Sequence, residues 1–295
     1  MFAQTTSART TPRIGPSTAS FVRVDGFPFV VEASRGARDA AYRIARRALA
    51  AHDFLLQVLG VAPRLSLRVL DRDDWLHHAD SDWYGAPHVA SNGDLVVGAE
   101  PADEWEDVAA HLARRLPARE LDKLVAIHGA DEAVGRRPSL AGVAEALIAY
   151  EVAHVLIAQQ RMAFPSRWLE EAFACYVLVG VLGTRDPAGM RLVGSLAEAA
   201  RALDADMPTL ADFEFGFAPM DVVWSVLGQL AITRAVYGAY ARRDTKPLVD
   251  LLAIARASVE PDADHELGRM LRARLHPSIA AIPDAFAAHG IGLAA

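Results

Sequence analysis

Two stretches of helical character, 138–161 and 166–183, follow one another with a break at Pro165, and both are mostly apolar. Stretches apolar on most sides belong inside a fold. Yet the first carries Tyr150, Glu151 and His154, and the second carries Glu171. Two carboxylates buried together repel, and one takes up a proton unless something neutralises the pair. A chain with this pattern packs the two helices antiparallel with polar groups between them, and Ala158–Pro165 is long enough to make the turn. The plainest reading is a polar cluster inside a helical core, holding nothing.

The remainder of the chain divides in two. Residues 1–20 are rich in Ser and Thr and read as a flexible tail. They lack the apolar run of roughly 7–15 residues that a secretory signal needs. Phe21–Ala33 reads as two short strands with a turn at Asp25-Gly26, Ala37–Leu59 as an amphipathic helix, and Arg64–Asp71 as a half-buried strand. Asn92-Gly93 marks a turn before a strand at Asp94–Ala99. From Asp103 the pattern is helical, with helices expected at 103–116, 118–129, 138–161, 166–183, 188–204, 219–240, 246–258 and 263–274. The segment Asp212–Phe215 reads as a connector with exposed aromatics. The fold class is α+β: a small N-terminal mixed β-sheet, then a mainly helical core and C-terminal helices. A boundary near 205 divides the chain into 21–204 and 205–295, unless the two form one continuous domain.

Composition narrows the function. Net charge is −7 with both signs mixed along the chain, so no basic face for nucleic acid stands out. The longest apolar runs, Ala172–Gly183 and Val222–Thr233, fall short of the about 20 residues of a membrane span. The single cysteine, Cys175, excludes an internal disulfide and fits a reducing compartment. The expected location is the cytoplasm.

The ionisable pattern carries the chemistry. A helix with His-Glu-x-x-His sets two imidazoles one turn apart, with the Glu placed as general base toward a metal-bound water. Here Tyr150-Glu151-Val152-Ala153-His154 supplies all but the first imidazole, and Trp168-Leu169-Glu170-Glu171-Ala172-Phe173-Ala174-Cys175-Tyr176 follows. With these two motifs the chain resembles the gluzincin metallopeptidases, in particular the peptidase MA-like domains, over about residues 64–290. Glu151 and His154 match the first motif. Trp168, Leu169, Glu171, Ala174 and Tyr176 match the second, with Ala172 where the family has Gly. The resemblance implies a gluzincin α+β core, with Glu151 as general base, His154 and Glu171 as metal ligands, and Tyr150, Cys175 and Trp168 lining the cleft.

Three positions depart from that pattern. Tyr150 stands in place of the first His, and a phenol with a free pKa near 10 binds zinc poorly at neutral pH. Its ring is expected to fill the gap and hydrogen-bond Glu171 or Glu151. Cys175 stands where relatives carry the carboxylate that orients the first His, and reads as a small buried residue. The family's later electrophilic Tyr or His is not evident, with Trp224 near its expected place. His77, His78 and His88 read as surface loop residues, and Glu170 as facing solvent. The expectation is a peptidase-like protein with no cofactor, holding a peptide or a protein partner in the old cleft. The alternatives are an active hydrolase with zinc on a rearranged ligand set, and an interaction protein without a cleft.

Overall fold

Alternation along the strands decides which face of the sheet meets the helices. The computed structural model describes residues 21–81, 84–131, 135–206, 209–215, 222–240, 244–256 and 273–287. The tail at 1–20 and nearly all of the helix expected over 263–274 lie outside these residues. Strands β1 (Val22–Arg23), β2 (Val30–Ala33), β3 (Ser66–Leu70), β4 (His88–Val89) and β5 (Leu95–Gly98) form one sheet of order β1-β2-β3-β5-β4. β2, β3 and β5 run parallel, with Val31 paired to Leu67 and Leu67 to Leu95, and the two edge strands are antiparallel. Val31, Ala33, Leu67, Val69, Leu95 and Val97 enter the main core, while the alternate residues Leu70 and Val96 pack with Trp75 in a smaller cluster. This is the period-two pattern of a sheet covered on both faces.

Helix α1 (Arg38–Leu59) links β2 to β3 and covers the main-core face together with α6 (Ile148–Gln160). It ends at Gly60, whose φ of 68° lets its N–H cap the Leu56 carbonyl. Helix α2 (Arg72–His78) was not expected. Its start is fixed by Asp71, whose carboxylate accepts from the Asp74 N–H at 2.9 Å. His77 and His78 therefore sit in the last turn of a helix and His88 in β4, not in a loop. His78 meets Phe21 and His88 meets Trp75 edge-on, within the cluster on the far face of the sheet.

The helical part follows as α3 (Glu104–Arg115), α4 (Ala118–His128), α5 (Ala141–Ala146), α6, α7 (Arg167–Arg185) and α8 (Pro187–Ala200). After these come α9 (Leu210–Phe215), α10 (Val222–Tyr240), α11 (Lys246–Arg256), α12 (Pro277–Ala280) and α13 (Ile282–Ala287). The expected helix over 138–161 is two pieces, because the chain tightens at Leu147, where Tyr150 N–H bonds its carbonyl three residues back at 2.9 Å. Gly183 does not end α7. A Cβ there would meet the Tyr240 ring at 2.7 Å, so the glycine admits α10 against α7. The stretch 210–215, expected as a connector with exposed aromatics, is α9 instead, and Phe213 is buried against Phe286.

α7 is the central helix: α1, α6, α8, α10 and α11 all pack on it. One apolar core runs from Val24 to Phe286, so the parts on either side of residue 205 share it. Among the described residues one stretch, Ala141–Gln160, is long and apolar enough to cross a membrane, and it is mostly buried inside the protein. It is a core helix pair, and the fold is α+β.

Two backbone segments touch where β5 ends. A Cβ on Gly98 would lie 2.5 Å from Gly85 Cα and 2.9 Å from the Glu100 carbonyl oxygen. Neither obstacle is a side chain that can swing away. Gly98→Ala is expected to destabilise the protein by about 1–3 kcal/mol through overpacking, read as a lower urea midpoint. An unchanged midpoint would show that the two segments separate at no cost.

Candidate functional site

Positions 150 and 154 lie one turn apart on α6, so their side chains share a face. That face meets α7, and the whole run Ile148–Ile157 is buried. The Tyr150 and His154 rings meet edge-on with centroids 4.6 Å apart. Tyr150 donates its hydroxyl to Glu171 Oε2 and accepts from Gln229 Nε2 at 3.1 Å. His154 Nε2 lies 3.9 Å from Glu171 Oε2, and its Nδ1 lies 3.4 Å from Glu170 Oε1. Neither ring nitrogen makes a hydrogen bond among the described residues. Glu170, expected to face solvent, instead leans back toward the imidazole and keeps its side chain only 32% exposed.

Electrostatics follow from burial. Burial, then the negative charge of Glu171, pushes the Tyr150 phenol well above its ordinary range, so it remains a neutral donor. Burial works against the Glu171 charge, while the His154 imidazole, the phenol hydrogen bond and Arg167, 3.8 Å away, favour it. Burial pushes Glu151 up. It also pushes the Cys175 thiol up to about 12, so in these surroundings Cys175 is a neutral thiol at pH 7. Its sulfur contacts the Thr233 hydroxyl at 3.4 Å.

Glu151 points elsewhere. It lines a cleft of about 320 Å³ between the end of β5, the start of α3 and helices α6 and α10, together with Tyr150, Glu104, Trp105, Val226 and Gln229. Glu151 Oε2 has no hydrogen-bond partner among the described residues, although the residue is only 5% exposed. Thus Tyr150, His154 and Glu171 come together between α6 and α7, while Tyr150 and Glu151 face the cleft. Cys175 lines a smaller cavity behind Tyr150. Trp168 is buried and does not line the 320 Å³ cleft. Its backbone N–H and that of Arg167 donate to the Glu214 carboxylate at 3.0 and 2.9 Å, which caps α7 from α9. Trp224 is 43% exposed. The side chain that α10 brings to the site is Gln229, the one amide in the apolar run Val222–Thr233.

These residues do not fit a zinc ion. A catalytic zinc needs three protein ligands around an open position. Among the described residues no three His, Cys, Asp or Glu side chains converge on such a point. The Glu171 oxygen that a metal would need accepts a hydrogen bond from the phenol instead. Compared with family models, curated proteins and solved structures, the chain matches none.

Two expected outcomes test this electrostatic picture. Tyr150→Phe leaves the buried Glu171 carboxylate without its donor and should lower stability by about 1–3 kcal/mol, read by urea denaturation; a neutral effect would show that the bond contributes nothing. Glu104 supplies the second. Burial first, then Asp103 and Asp107, raise its carboxyl to about 7 from 4.5. Between those values the folded chain holds a proton that the unfolded chain has released, so this contribution is full below pH 4.5 and is lost as pH rises through 7. Glu104→Gln should flatten the fall in stability over that window, and an unaltered pH profile would contradict the assignment.

Proposed function

We propose that this is a metallopeptidase-like protein of gluzincin type that no longer hydrolyses, and that it uses the cleft before Tyr150 and Glu151 to bind a peptide or a segment of a partner protein. The hydrogen bond from the Tyr150 hydroxyl to Glu171 carries this reading. It occupies the carboxylate that a metal would need and puts a neutral phenol where the first imidazole would stand. Glu151 keeps the place of the general base but is left without a metal-bound water to act on.

The cleft is consistent with binding. About 320 Å³ lies at the lower end of the range for ligand sites, roughly 300–1,000 Å³. Its walls include Trp105, Val108, Ile148 and Val226, which suit the apolar side chains of a short peptide. On this reading the protein works in the cytoplasm, where the lone thiol of Cys175 stays reduced.

Metal content tests the proposal. The purified protein, dialysed against zinc and then against metal-free buffer, should retain no stoichiometric zinc by mass spectrometry. Retention of about one zinc per chain, with a Kd typical of enzyme sites, would sink the non-catalytic reading. Tyr150→His returns the second imidazole and removes the phenol from Glu171, and this variant should gain zinc. If it gains none, the α6–α7 face does not descend from a metal site.

A further inference from the structure

Glu151 is an acid sealed into a wall, without an ion-pair partner among the described residues. It is 5% exposed, it lines the cleft, and one of its carboxylate oxygens has no partner among the described residues. Glu104 lines the same cleft, is 8% exposed, and stands near two further carboxylates, Asp103 and Asp107. Other charges on the cleft wall are already matched. Glu145 lies 3.4 Å from Arg43 and 3.6 Å from Arg47, and Glu100 lies 3.4 Å from Arg72. Glu104 and Glu151 have no cationic partner among the described residues. An isolated buried carboxylate is costly, and a cation brought to it recovers much of that cost. The same cleft wall carries Trp105, Val108, Ile148 and Val226. An aromatic face next to a carboxylate also suits a cationic head on an apolar stem.

We infer that the cleft selects peptides carrying a lysine or arginine, whose aliphatic stem packs along Trp105 and Val226 and whose charged head meets Glu151 and Glu104. This rests on the reading of the cleft as a peptide site and adds the chemistry that the site prefers. The two acids are positioned for recognition. No bond is made or broken, and the peptide leaves unchanged.

The probes are three fluorescein-labelled heptapeptide pools with uncharged, varied flanks and a central Lys or Arg, a central Leu or a central Glu. Anisotropy titrations of the full chain should give the basic pool an affinity at least about 10-fold tighter than the Leu pool, the scale of one charge-assisted contact, and the acidic pool the weakest. Glu151→Gln and Glu104→Gln should each weaken the basic pool about 5- to 30-fold and leave the Leu pool unmoved. Both variants remove an unmatched buried acid, so both should melt no lower than the parent at pH 8, which keeps loss of fold from mimicking loss of binding. Equal affinity for the basic and Leu pools, or full basic-pool affinity in both variants, overturns the selectivity while leaving peptide binding in place. If no pool binds, both the selectivity and peptide binding in this cleft fall.

Discussion

A phenol-to-carboxylate hydrogen bond inside an apolar helix pair organises this molecule. Glu171 sits on α7, the helix against which α1, α6, α8, α10 and α11 pack. A charge at that place has no water to turn to. Tyr150 donates to it from α6, His154 stands beside it, and Arg167 approaches from its own helix. Gln229 on α10 donates to the same phenol oxygen and ties a third helix to the pair. A single chain of contacts thus joins α6, α7 and α10. Buried polar networks of this kind rigidify a core when their members are satisfied.

The same network divides the polar residues of α6 and α7 between two environments. The α6–α7 seam is closed: its acid, imidazole and phenol are turned on one another. The cleft beyond it is open, and Glu151 belongs to that side. Tyr150 stands at the boundary: its hydroxyl bonds Glu171 in the seam, and the residue also lines the cleft. Glu171 is thereby a structural acceptor within the seam, while Glu151 faces the cleft.

Much of this was legible in the residues and some was not. The strands followed from alternation at Leu67 and Val69 and from the Asn92-Gly93 turn before the apolar run at Leu95, and the bond between Tyr150 and Glu171 is one of the two expected of a phenol at position 150. Gln229 escaped notice because periodicity says that a helix is buried without saying which of its residues faces which neighbour, although an amide in an apolar run was a visible signal. α9 was missed for a related reason: six residues are too few to show a period, so Phe213 looked exposed when it is packed on Phe286. α2 is equally short, and only the Asp71 cap could have marked it. Glu170 was misread because its place in the first turn of a helix suits solvent as well as it suits an imidazole across the interface.

The carboxylate of Glu214 has a consequence for how the chain comes into being. It holds the opening turn of α7 through two backbone N–H groups, yet it lies 46 to 47 positions later in the chain. On the ribosome, α7 emerges well before its anchor is synthesised. Until residue 214 has been made, the first turn of the central helix lacks this partner for its N–H groups.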